Sequence, residues 1–300
     1  MHAPTARYEP AIDLDAIHAI DMHTHVEADG HGHFSLDQEL MDASAAYFKS
    51  GQLRTPTIDD IAEHYRARNM AAVVFTVDSV TATGHPALSS EEIAAGAARH
   101  NDVLIPFGSV DPNTGDLAVE RARRLIADHG VRGLKFHPSL QGFRPNDERF
   151  YPLYDAMSDL GAIALFHTGQ TGIGAGLPGG RGIKLRLSDP MFLDDVAADF
   201  PALQIVMAHP GVPWTDAAIS IATHKANVHM DLSGWLPKYF PQQLVSQLST
   251  VLRSKVLFGS DFPVITPDRW MESFSQLEVK DEAKPQIFKE NAARLLCLTG

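Results

Sequence analysis

The 300-residue chain reads as an α/β protein, a single TIM (β/α)8 barrel. Three observations predict it: eight short apolar runs of strand character, helix-like stretches alternating with them, and no Ser/Pro linker or composition shift to divide the chain. Such a barrel uses about 250 residues as one domain, so residues 1–300 are read as one unit.

In order, the strand segments are "AIDMHTHV", "MAAVVFTVDS", "LIPFGSVDP", "VRGLKFHPS", "AIALFHTG", "LQIVMAHPG", "VHMDLSG" and "VLFGSDFP". The helical segments include "SEEIAAGAARHN", "FYPLYDAMSDLG", "PMFLDDVAADFP", "TDAAISIATHKA" and "QQLVSQLSTVLRS". In "DLAVERARRLIADHG", Ala118, Ala122, Leu125 and Ile126 fall on one helical face and Gly130 supplies the stop. Residues 27–69 are too long for an ordinary βα connection and read as a lid-like insertion containing the helix "DQELMDASAAYFKS". An open doubly wound sheet is the competing architecture. Its glycine fingerprint occurs only at Gly174, Gly176 and Gly179, where it runs into Pro178 instead of opening a helix, so this stretch reads as a mobile loop over a site.

Composition narrows the function. A formal net charge of -12, without a basic stripe, opposes nucleic acid and anionic membranes as partners. No apolar run approaches the roughly 20 residues of a membrane span. "MHAPTARYEP" has no apolar signal core, so the cytoplasm is the expected location. One cysteine, Cys297, leaves no internal disulfide and no Cys-rich zinc knuckle. A small-molecule substrate and a homo-oligomer are expected.

Fifteen histidines are the outlying number, and their placement is selective. The active face of a TIM barrel lies at the C-terminal ends of its strands. There the sequence puts His23 and His25 (strand one), Lys135 and His137 (four), His167 (five), His209 (six) and Asp261 (eight). In a strand, residues i and i+2 share a face, so His23 and His25 project side by side. His31 and His33 have the same spacing but sit among glycines, with no strand to hold them, and His85 lies in the loop after strand two. His229 and Asp231 alternate with apolar residues on strand seven and are expected to be satisfied within the core. Neutral imidazole and carboxylate suit zinc first, with manganese or iron as alternatives, and His23, His25, His167 and Asp261 supply a catalytic set. Arg181, Lys184 and Arg186 could clamp an anionic substrate, and Trp214 and Trp235 could wall an aromatic pocket. Lys135 is expected to meet a substrate carboxylate or Asp111, with His137 beside it on the substrate side.

"HTH", His167, His209 and the Asp of "FGSDFP" together resemble the amidohydrolase superfamily. "GLKFHP", "AHPGVPW", "DLSGW", "LFGSDFPVITP" and "KENAARLL" resemble its branch containing aminocarboxymuconate-semialdehyde decarboxylase and resorcylate decarboxylases, from Ile20 to Leu296. The resemblance implies one divalent metal on His23, His25, His167 and Asp261, with His209 and Asp261 catalytic. Other branches carboxylate a strand-four lysine to bridge two metals, a position held here by Lys135. Two reactions fit: hydrolysis, with metal-activated water attacking an ester, lactone, amide or β-keto thioester carbonyl, and nonoxidative decarboxylation of an aromatic or muconate-type acid. "SGWLPKYFP" and "FPVITPDRW" resemble small bacterial hydrolases of this branch, so hydrolysis is favoured. A non-catalytic metal-binding barrel is the remaining reading.

Overall fold

The computed structural model describes residues 7–49 and 55–298. Eight parallel strands pair in sequence order: β1 (Ala19–His25), β2 (Met70–Phe75), β3 (Leu104–Gly108), β4 (Gly133–Phe136), β5 (Ile163–His167), β6 (Ile205–Ala208), β7 (Val228–Asp231) and β8 (Val256–Leu257). The ring closes where Met22 N donates to Phe258 O (2.9 Å), Asp261 N to His23 O (3.0 Å) and His25 N to Phe262 O (2.8 Å). β8 is shorter than its sequence segment because Phe258 N turns away to Ile287 O, while the small-residue turn that follows carries Asp261 to the rim.

The helices named here are α1 (Gln38–Tyr47), α2 (Ile58–Arg66), α3 (Ser90–Arg99), α4 (Asp116–Ala127), α5 (Tyr151–Asp159), α6 (Met191–Asp199), α7 (Thr215–His224) and α8 (Pro267–Phe274). α4 buries the expected face, Ala118, Ala122, Leu125 and Ile126. Of "QQLVSQLSTVLRS", only Gln242–Val245 is α-helical, the rest continuing as turns. α2 packs on β2 and α3 as the outer helix of the first βα unit, so the inserted segment ends before Ile58 and not at residue 69. α1 is the part of it that stands over the strand ends. Among the described residues no helix is long and apolar enough to cross a membrane.

Alternation along the strands builds two apolar layers. Ile20, Met22, Val73, Phe75, Leu165 and Val206 fill the barrel, while Val74, Leu104, Phe136 and Met207 face the helices. β1 breaks this alternation once. Asp21 pairs with Ala72 and Thr24 with Val74, so three steps on β1 oppose two on β2, a β-bulge. Ile20 and Met22 therefore point inward, and His23 and His25 do so as well. Without the extra residue, a regular ladder that kept Met22 inside would turn both histidines out. Asp21 fastens the bulge: Oδ1 accepts from His23 N (3.0 Å) and Ser260 N (2.9 Å), and Oδ2 from Tyr65 Oη on α2 (2.7 Å).

Candidate metal centre

His23 Nε2 lies 3.2 Å from His25 Nε2, and Asp261 Oδ1 is 3.3 Å from each. Ligands about 2.1 Å from one cation and roughly 90–110° apart are separated by about 3.0–3.4 Å, so these atoms are spaced as ligands of a single ion. His209 and Asp261 both reach the site from left-handed backbone, φ 72° in each case. For residues with a Cβ such a conformation costs about 1–3 kcal/mol, strain that is characteristic of functional positions.

Asp231, assigned to the core by its alternation, is instead the buttress of the site. Its Oδ2 is 2.9 Å from His23 Nδ1, both side chains fully buried. A carboxylate only accepts, so Nδ1 carries the imidazole proton and Nε2 presents a lone pair toward His25 and Asp261. Asp231 Oδ1 accepts from Ser233 Oγ at short range, from Ser233 N (3.0 Å) and from His209 N (3.3 Å). Both oxygens are occupied, and the close group of His23, His209 and Asp231 is a hydrogen-bond network and not a second ion site.

Electrostatics keep the donors in their ligating forms. Burial lowers the His23 imidazole to about 3, helped by Lys135. Burial also pushes His137 and His167 well below the usual histidine value and His209 below it, so these rings are neutral near pH 7. For Asp261, burial alone would raise the carboxyl, but the hydrogen bond from His25 and the field of His23 and His209 hold it well below the ordinary range. Asp231 follows the same pattern: burial opposes ionisation, and His23 overrides it. Asp21 goes the other way, raised by burial to about 6 despite its bonds from Ser260 and Tyr65.

Lys135 does not meet Asp111, whose carboxylate accepts from Thr81 N and Asn113 N. It is fully buried, with Nζ 3.0 Å from His23 Nε2, and burial lowers its ammonium to about 8. His167 lies outside the close three-ligand group. Its Nδ1 is 2.9 Å from His209 Nε2, its ring stacks on His137 at 3.8 Å, and its Nε2 is buried with no partner among the described residues. His137 caps the short helix Pro138–Gln141, with Nε2 3.2 Å from Thr171 Oγ1. His23 Nε2, which Lys135 Nζ also approaches, converges with His25 and an ionised Asp261, and His167 adds a buried nitrogen outside that close group. That donor set fits a divalent cation.

The site opens into a pocket of about 950 Å³ of empty space, continuous with solvent. Lys135, His137, His209 and Trp235 line it beside Leu36, Tyr47, Phe48 and Ile173. The glycine-rich loop after β5 forms one wall. A Cβ on Gly172 would come within 2.6 Å of the Phe48 ring, so the loop and α1 close on each other tightly. Gln170 Nε2 donates to Tyr47 Oη (2.9 Å), and Arg181 pairs with Asp37 (2.6 Å) and Glu39 (3.2 Å) at the start of α1. Arg181 is thus turned to the inserted segment and lies outside the pocket lining. Lys184 and Arg186 are exposed, and Trp214 is half-buried at the start of α7; none of the three lines the pocket. His33 pairs with Asp29 (2.7 Å), His31 faces Glu92 (3.9 Å) and His85 donates to Phe34 O (2.9 Å), all away from the ligand group.

Fold and site together define a metal-dependent enzyme built on a (β/α)8 barrel. The chain belongs to the amidohydrolase family, whose model, described as Amidohydrolase, matches residues 20–298. In solved structures it is similar to an uncharacterized TIM-barrel protein from Bordetella bronchiseptica (TM-score 0.75, 22% identity, 93% of this chain and 98% of that one). It is also similar to 2,6-dihydroxybenzoate decarboxylase from Rhizobium (TM-score 0.68, 15% identity, 95% and 100%). A third is a dihydroxybenzoic acid decarboxylase from Polaromonas sp. JS666 with bound manganese and the inhibitor 2-nitroresorcinol (TM-score 0.67, 15% identity, 94% and 97%).

Proposed function

We propose that the protein is a metal-dependent, nonoxidative carboxy-lyase of a small aromatic or muconate-type acid. The observation that carries the reading is the ligand group at the floor of a pocket walled by Tyr47, Phe48 and Trp235, which suits a flat ring held edge-on to the ligands. The barrels from Rhizobium and Polaromonas support it, both being decarboxylases of dihydroxybenzoic acids. This shifts the preference away from the hydrolysis favoured by the sequence.

His23, His25 and Asp261 would hold the ion, with His167 Nε2 as fourth donor. Zinc or manganese suits this nitrogen and oxygen set. When bound, the cation supplies positive charge for the substrate carboxylate and its neighbouring oxygen. His209, which lines the pocket in a buried setting, would handle the proton at Nε2, the nitrogen that otherwise faces His167 Nδ1. The ring carbon takes a proton, its bond to the carboxyl group breaks, and carbon dioxide leaves. Lys135 and His137 border the substrate, while α1 and the glycine-rich loop exclude water as a lid.

One observation favours hydrolysis as the second reading. Among the described residues Lys135 is the one basic side chain other than histidine in the pocket lining, and Glu27 stands in the same wall, so a substrate carboxylate finds no arginine among them while a neutral ester or thioester meets no penalty. Turnover of hydroxybenzoates, lactones and β-keto thioesters in oxygen-18 water and in deuterium oxide separates the two. Stoichiometric carbon dioxide with deuterium on carbon supports the lyase. Oxygen label in a product acid without carbon dioxide replaces it with the hydrolase, and metal binding without turnover of any of these substrates leaves a non-catalytic barrel. His209→Asn is expected to keep the metal and lower turnover by roughly 10² or more in either reaction.

A further inference from the structure

We infer that Ser233 is a positioning residue that fixes which nitrogen carries the proton in His209 and, through it, in His167. Ser233 Oγ is buried between Asp231 Oδ1, at short range, and His209 Nδ1, at 2.9 Å. The hydroxyl has one proton, and the carboxylate can only accept it. Ser233 Oγ must then accept from His209 Nδ1–H. A neutral imidazole has a single N–H, so His209 Nε2 is bare. The atom 2.9 Å from it is His167 Nδ1, which therefore donates. That uses the one proton of His167 and leaves its buried, unpartnered Nε2 as a lone pair.

Asp231 thus sets two arms at once. Through Oδ2 it fixes His23 directly, and through Ser233 and His209 it fixes His167 on the far side of the site. The neighbouring glycine belongs to the same device. A Cβ on Gly234, which sits at φ +74°, would come 2.5 Å from His209 Nδ1, so only glycine lets the imidazole lie against the serine. Removal of the hydroxyl takes the 2.9 Å acceptor from His209 Nδ1–H and leaves it only the Ser233 backbone nearby. His209 then carries its proton on Nε2 and donates to His167 Nδ1, which moves the His167 proton onto Nε2, the atom offered to the metal.

The inference rests on the metal reading of the site and is independent of which reaction occurs. Its test is long-range proton–nitrogen NMR on metal-free protein with ring-labelled histidine, the two signals assigned with His209→Asn and His167→Asn. The wild type is expected to show Nδ1–H on both rings, and Ser233→Ala to show Nε2–H on both. Ser139→Ala, which removes a hydroxyl beside His137 instead, is expected to leave both unchanged. Manganese titration is expected to show affinity about 10- to 100-fold weaker in Ser233→Ala. Nε2–H on His209 in the wild type, or unchanged protonation in folded Ser233→Ala, overturns the inference. The expected protonation patterns with no manganese bound by the wild type support the inference and retire the metal reading instead.

Discussion

Asp231→Asn isolates the direct arm of the buttress. The amide keeps one acceptor oxygen and gains two N–H donors. Its oxygen must take the Oδ1 place, where three donors converge, namely Ser233 Oγ, Ser233 N and His209 N. The NH2 group is left facing His23 Nδ1, which at 2.9 Å can then only accept. His23 is driven to the tautomer with its proton on Nε2, and the ligand lone pair is lost. Recovery of that lone pair leaves two buried N–H groups opposed, at a cost of about 1–3 kcal/mol. That corresponds to roughly 5- to 150-fold in metal affinity, which brackets the roughly 10- to 100-fold typical when the outer partner of a metal-binding histidine is removed. Calorimetric titration with zinc and manganese, alongside circular dichroism to show an intact barrel, measures it. Wild-type affinity in folded Asp231→Asn would refute the reasoning.

His23→Ala or His25→Ala is expected to remove most bound metal by elemental analysis, whereas the His31→Ala, His33→Ala double variant retains it, since those rings face Asp29 and Glu92. Leu125→Ala, at a fully buried position of α4, is expected to cost about 2–5 kcal/mol in urea unfolding; a loss below 1 kcal/mol would place that face outside the core. Asp21 has a folded-state value raised to about 6, so between about pH 4 and 6 the folded state binds the extra proton and stability falls as pH rises. Metal-stripped Asp21→Asn is expected to lack that slope and to be more stable than wild type at pH 7.5, by an amount on the order of 3 kcal/mol at about 1.4 kcal/mol per pH unit; parallel stability–pH curves would contradict it.

The barrel was legible because eight apolar runs and the intervening 3.6-residue periods are local signals, and α4 buries the four residues its spacing names. Residues at strand ends were equally legible: His23, His25 and Asp261 meet because the fold brings strand termini together. The support for them was not. Asp21 and Asp231 look like ordinary polar positions in alternating strands, and their importance depends on partners 239 and 208 residues away, Ser260 and His23. The β1 bulge has no local mark either, since "AIDMHTH" alternates acceptably in either register. The "SG" of "DLSGW" carries no local mark of its role, because its geometry depends on where His209 lies. Arg181 misled for a similar reason, because a basic residue on a loop above a pocket can face inward or, as here, toward the acidic start of α1.

The contacts that close the pocket and those that shape its floor belong to different electrostatic regimes. Arg181, Asp37 and Glu39 meet near the surface, where the Debye length of about 8 Å at physiological ionic strength screens them and added salt weakens them further. Asp231 and His23 meet where no mobile ions reach. On the lid role proposed for α1 and the loop, ionic strength is a dial that acts on entry and exit while leaving the donor geometry alone. A turnover limited by release should quicken as salt loosens α1 from the loop, and one limited by bond breaking should ignore it, so a salt series on a single preparation tells which event sets the pace.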